Sequence, residues 1–375
     1  MLTRIREQAK GVFRAQYRLE DLLKCLALLA ICSTGCLHPR IGPQSLPRDR
    51  AAYSGSLSDS WKEQTLLNIV KLRYVDPPVF VDVSSIVASY TLTQGASAGG
   101  TIPTGGPGNG TLGGSVSLSN SPTITYTPLT GNEYIKTLIT PLPVETVFAA
   151  IQNGSPADTI LLSLVMSING LRNQRVSLEG ITPADPDFHR VRELMQKIQA
   201  SNAVRLMVKE DKEKNEKTLL TLRTKDISPE VLADIRELRS VLHVNPEATE
   251  LTLVSAPLAS NDTEIAVQTR SIVELLENAA AQVEVPQEDV VRHRAFPGFE
   301  VGRDVPGVVP IIRVHSAKSR PGEAFVAVEY RNSWFFIDDG DLASKRAFAQ
   351  LMELFTMADT GSKPGQQPVV TIPAR

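Results

Sequence analysis

The chain has 375 residues, with 39 Lys and Arg against 41 Asp and Glu, a formal charge of −2, and 42% hydrophobic residues. That length fits one large domain or two ordinary ones. A mildly acidic chain lacks the basic stripe of a nucleic-acid-binding protein, so no nucleic-acid partner is expected. Cys25, Cys32 and Cys36 are its three cysteines and all lie in or beside one early apolar run, so a core and not disulfides must stabilise the rest.

Arg4, Arg6, Lys10, Arg14 and Arg18 precede residues 22–36, LLKCLALLAICSTGC. A charged segment, an apolar core and small residues are the layout of an export signal. The run falls short of the ~20 apolar residues that cross a bilayer. Ser33-Thr34-Gly35-Cys36 resembles a bacterial lipobox. The resemblance implies cleavage before Cys36, lipid on its thiol, and a membrane as partner through that residue. Leu37, where an inner-membrane retention signal has Asp, points by the same sorting rule to an outer-membrane lipoprotein facing the periplasm. Loss of residues 1–35 would remove six basic and three acidic residues and move the formal charge from −2 to −5.

Residues 36–59, with Pro39, Pro43 and Pro47 and no apolar period, are expected to form a tether. A helix capped by Ser58 or Ser60 follows, its stripe being Leu66, Leu67, Ile69, Val70 and Leu72, and Asp76-Pro77-Pro78 ends it. Alternation then predicts a long β-hairpin over 79–127, with a Gly-rich flexible loop at 95–114 and hydroxyl groups on one face. Helices are expected at 131–140, 144–152 and 156–169, and a boundary within 173–186, so that 60–178 is a helical unit bearing the hairpin.

The second unit, 187–358, alternates elements. Helices are read at 187–200, after Ser228-Pro229, at 270–283 and at 342–357, the last capped by Asp341. Strands are read at 204–209, 218–223, 251–254, 265–268, 311–315, 325–330 and 334–337, with a tight turn at Arg331-Asn332-Ser333. The charged link 210–217 is a solvated turn, residues 296–310 are irregular, and the tail 359–375 is expected to be disordered. The fold class is therefore α+β: a helical unit with a long projecting β-hairpin, then a mixed sheet-and-helix half.

Few constellations carry chemistry. Gly95-Ala96-Ser97-Ala98-Gly99 has the spacing of a nucleophile elbow, but the following TIPTGGPGNG cannot form the required helix. Gly108 to Gly113 has the spacing of a dinucleotide loop, but a serine-rich β-type segment follows it. No cofactor is implied. The best polar cluster is Asp338, Asp339 and Asp341, with His315 on a nearby strand. It reads first as a helix N-terminus, where carboxylates satisfy free N–H groups, and second as an acidic catalytic or cation site. The histidines show no zinc spacing, and Arg292-His293-Arg294 is a local basic spot.

SPTITYTPLTG (121–131), SINGLRN (167–173) and AVEYRNSWFFIDDGDLASKRAFAQLMELF (327–355) resemble an uncharacterised family of proteobacterial envelope lipoproteins. The resemblance adds localisation and no activity or catalytic residue. The expected function is a non-catalytic periplasmic scaffold or assembly partner, with an envelope protein or further copies of itself as partner. The alternatives are a ring-forming lipoprotein whose hairpin enters the outer membrane, and an envelope hydrolase with the acidic site.

Overall fold

Residues 46–73 form one helix, α1 (Leu46–Arg73), of 28 residues. The structure, a computed structural model, describes residues 45–87, 90–101, 109–210, 216–297 and 305–359. Residues 46–59, read as an irregular tether, are thus helical, and Ser58 and Ser60 lie inside the helix. Pro47 sits in the first turn, where its missing N–H is not needed, and no later proline interrupts the helix. The missing apolar period records exposure, because every buried residue of α1 lies between Thr65 and Arg73. The helix stops as expected: Val75 takes a left-handed φ of 61° and two prolines follow.

The fold is α+β, and the chain divides into two units, Met1–Leu57 with Ser89–Ser121, and Ser58–Ala88 with Pro122–Arg375. In the second unit three short helices follow, α2 (Asn132–Ile139), α3 (Val144–Gln152) and α4 (Ala157–Leu164), of which the last two open the main core. The third was expected to run to 169. It ends at Leu164, and β5 (Val165–Ile168) begins at once. The apolar run 160–168 is continuous, so periodicity alone does not locate the change. What locates it is capping, described below.

A six-stranded sheet follows, in the order β6 (Leu171–Arg172), β5, β12 (Glu264–Thr269), β11 (Leu251–Val254), β10 (Glu216–Leu222), β9 (Val204–Glu210). Strands from both sides of the proline-rich stretch 173–186 share it, and that stretch itself holds a small ribbon, β7 (Arg175–Ser177) with β8 (Gly180–Thr182). Helices α5 (Pro186–Ala200) and α6 (Pro229–Val241) pack on the sheet, placing Phe188, Leu194, Ile198 and Ile235 in the core with no measurable exposure. Ser228 caps α6, as its sequence requires, by accepting the Val231 N–H.

A second core lies in the same unit. It joins the buried end of α1, α7 (Ile272–Ala281), α9 (Leu342–Asp359) and a sheet of order β13 (His315–Ala317), β15 (Ser333–Asp338), β14 (Ala324–Tyr330). A short helix, α8 (Gln287–Val291), precedes it. The strand expected at 311–315 starts only at His315, because the Ile311 and Ile312 N–H groups are taken by the Gln282 side chain and the Arg313 N–H by Ser344. Arg331 and Asn332 form the turn of β14–β15 with φ of 49° and 65°, the twist-matched hairpin geometry.

The expected hairpin is two pairings. In the second unit β1 (Phe80–Val87) pairs antiparallel with β4 (Thr123–Leu129). Two side chains one helical turn apart on α1 complete the outer edge of β1. Asn68 exchanges hydrogen bonds with the backbone of Val79 (2.8 and 2.9 Å), and Gln64 does the same with Val81 (3.0 and 2.7 Å). The helix thereby acts as a neighbouring strand. In the first unit β2 (Tyr90–Thr101) pairs with β3 (Asn109–Asn120) over 12 residues each. The glycine-rich segment read as a loop over 95–114 is therefore strand as far as Thr101 and again from Asn109, since ladder hydrogen bonds need backbone and not side chains. Residues 102–108 lie outside the described residues.

The Asn68 latch makes a stability prediction. Asn68→Ala leaves the Val79 N–H and C=O without their partner and should cost about 1–3 kcal/mol in urea unfolding. Glu63→Ala, exposed on the same helix, should change stability by less than about 0.5 kcal/mol.

Candidate functional site

The three aspartates occupy the turn between β15 and α9, and each is engaged within it. Asp338 Oδ1 accepts the Gly340 N–H at 2.6 Å. Asp339 pairs with Lys345 at 2.6 Å. Asp341 caps α9, accepting the Ser344 N–H at 3.1 Å and its O–H at 2.7 Å, with Arg313 at 3.9 Å. His315 does not join them: its Nδ1 lies 2.9 Å from Glu284 Oε1, and its ring stacks on Phe336 with centroids 5.6 Å apart. Among the described residues no group of three or more His, Cys, Asp or Glu could hold a metal ion.

The remaining sequence motifs fall into ordinary structural places. Ser97 sits in mid-strand on β2, in register with Gly113, so the strand–turn–helix of a nucleophile elbow is not formed around it. Asn109 to Gly113 belong to β3, with no helix after them to receive a pyrophosphate. In the basic spot Arg292 pairs with Glu288 at 2.9 Å and Arg294 with Asp289 at 3.6 Å. Cys36 lies outside the described residues. No described helix is long and apolar enough to cross a membrane.

The structure assembles two features, of which the first was expected in part and the second was missed in the sequence. The first is the uninterrupted β2–β3 ladder. On it Thr91, Thr93, Ser97, Ser115, Ser117 and Ser119, alternate positions along each strand, are all exposed. The second is a polar cleft of about 380 Å³ between β6, β7 and α7. Its arginines and glutamates come from two distant segments, Arg172 and Arg175 on one and Arg270, Glu274 and Glu277 on the other, and no local pattern announces it. A local signal did exist for the helix that forms one wall: Ser271-Ile272-Val273-Glu274 is a capping box, and the structure forms both of its hydrogen bonds.

Neither a family model, nor a curated protein, nor a solved structure matches the chain.

The helix cap is directly testable. Burial pushes the Asp341 pKa up, but the hydrogen bonds from Ser344 and the charge of Arg313 outweigh it and lower the pKa overall. A carboxyl with a lowered folded-state pKa contributes stability that is complete above the ordinary carboxylate range and lost as pH falls through the lowered value. Asp341→Ala should therefore cost about 1 kcal/mol at neutral pH. Asp341→Asn, which keeps a capping oxygen, should lose less but flatten the acid limb of a stability-against-pH curve. Asp339→Asn, which removes an ion pair whose carboxylate is 61% exposed, should change stability by less than about 0.5 kcal/mol.

Proposed function

We propose that the chain is a lipid-anchored component of a bacterial cell envelope, attached at the outer membrane through Cys36 and facing the periplasm. It acts there as a non-catalytic scaffold or assembly partner, with the β2–β3 ribbon as its contact element. The observation that carries this reading is the ladder itself: 12 residues in each strand, paired from Tyr90↔Asn120 to Thr101↔Asn109 without a register shift.

Among the described residues neither strand has a second neighbour, so both outer edges present rows of N–H and C=O groups. Such edges template further pairing, and proteins that avoid it use lysine, proline or short strands. YTLTQGASAGGT and NGTLGGSVSLSN contain no lysine and no proline. The edge of β1, by contrast, is covered by Gln64 and Asn68.

A second reading is supported by strand length and composition: the ribbon enters the outer membrane and closes a barrel with ribbons from other copies. A spanning strand needs about 9–11 residues with alternating faces, and an open edge is not tolerated in lipid.

Native mass in mild detergent tests both readings. A large, discrete oligomer of the full-length protein that is lost in a variant lacking 95–114 would favour the second reading; a monomer or dimer in both would overturn that reading and leave the tethered scaffold, whose partner crosslinking through the ribbon should capture. Protection of the ribbon from protease only in the presence of membranes would favour the second reading. Cys36→Ser should abolish lipid labelling and release the protein from the membrane fraction; unchanged fractionation would remove the anchor.

A further inference from the structure

The polar cleft has a built floor. Arg270, 5% exposed, donates from Nη1 to the carbonyls of Leu162 and Ser163 (3.0 and 2.8 Å) and from Nη2 to that of Gln174 (2.6 Å). Asn173 Nδ2 reaches the carbonyls of Leu161, Leu162 and Val165 at 2.6–3.1 Å. The Gln174 side chain clamps Val309 through both its N–H and C=O, at 2.9 and 2.6 Å. Polar groups held by several fixed partners do not reorganise when a ligand arrives.

The charges around this floor are balanced. Arg172 is already paired with Asp185 through its main-chain N–H (2.8 Å) and its guanidinium (3.2 and 3.3 Å). Arg175, on β7 opposite Thr182, is exposed and has no ion-pair partner among the described residues. On α7, Glu274, Glu277 and Asn278 share one helix face and line the cleft. Glu274 Oε2 serves the capping box, and Glu277 has no ion-pair partner among the described residues. Arg270 and Arg175 thus stand against Glu274 and Glu277, two cations and two carboxylates. Burial holds the Arg270 pKa down at about 10, so it stays charged at neutral pH. A site of zero net charge lined by both signs disfavours a simple anion or cation and suits a ligand that carries both signs. The volume lies at the small end of ligand pockets. Ser167 and Gln268, hydrogen-bonded at 2.8 Å across β5 and β12, add peptide-type donors and acceptors to the wall.

We propose that this cleft binds a small zwitterion of the amino-acid or short-peptide type, its carboxylate held by Arg175 and its ammonium by Glu277 with Glu274. The site is independent of the anchor and of the ribbon.

Calorimetric titration of the full-length protein in detergent tests it. The probes are dipeptides with apolar, acidic and basic side chains, their N-acetylated and C-amidated forms, succinate, and a neutral disaccharide. At least one free dipeptide should bind, and blocking either terminus should weaken it about tenfold or more. Arg175→Gln should abolish the difference between free and amidated forms while keeping that between free and acetylated; Glu277→Gln should do the reverse. Both side chains are exposed, so both variants should unfold at the wild-type temperature. Failure of every dipeptide to bind would overturn the proposal. So would equal affinity for blocked forms, affinity for succinate or the disaccharide matching the best dipeptide, or wild-type binding by both variants.

Discussion

Five carbonyls at the end of α4 are the constraint on which the larger unit depends. A helix leaves its last C=O groups without intrahelical partners; here Leu161 still accepts the Val165 N–H, and the carbonyls beyond it, in buried residues at the negative pole of the dipole, depend on groups from elsewhere. Asn173 supplies donors to Leu161, Leu162 and Val165, while Arg270 supplies its guanidinium to Leu162 and Ser163 and its main-chain N–H to Leu164. Each such group left unmade would cost about 1–3 kcal/mol. Once they are satisfied, Val165 turns into extended backbone and β5 begins against β12. The Arg270 guanidinium serves carbonyls, and the nearby Glu274 carboxylate favours its charge. Its position directly after β12 and before α7 makes one side chain join a helix end, a strand and the next helix.

That joint fixes α7, and α7 joins the two cores. Ile272, Leu276, Ala279 and Ala280 belong to the core with α1 and the three-stranded sheet, while Leu275 packs against both. The face left over carries Glu274, Glu277 and Asn278 into the cleft. Gln282 then holds the loop at Ile311 and Ile312 and is itself held by Asn278 at 2.6 Å. The helix that carries the acidic wall of the cleft is therefore held by both cores, since moving it would require repacking both.

The α+β class, most helices and the β14–β15 turn were legible because their signals are local: an apolar stripe, Ser228 before Pro229, Asp341 before an amphipathic run. The errors also have local causes. Residues 46–59 lack a buried face, so periodicity is silent about a helix that is exposed. The apolar run through Val165 hid a change of backbone decided by Asn173 and Arg270, both distant in sequence. The glycines of 95–114 raised the expectation of a loop, although a ladder forms without side chains. The acidic triplet was legible as a cap because its partner Ser344 is three residues away. His315 was misgrouped because its partner, Glu284, lies on another segment, and the cleft was invisible for the same reason.

Glycine and serine strands carry a physical difficulty of their own. Ordering each residue opposes folding by about 1–2 kcal/mol, and glycine by the most. Few large side chains are present to offset this, and register in such strands is weakly specified. One end of the ribbon is pinned within its own unit: the Tyr90 hydroxyl hydrogen-bonds to Asp49 of α1, which holds the tyrosine pKa up at about 12. Tyr90 is in register with Asn120, so this anchor sets the pairing where the strands begin and end. Toward Thr101↔Asn109 the ladder is Gly, Ala, Ser and Thr with a single leucine, Leu112. A two-stranded ribbon of that kind is marginal alone in water. Its outer edges offer a further resource to offset the entropy, and they act only when another strand pairs with them. The composition that makes the ribbon poor as an isolated element is thus what favours a role in association.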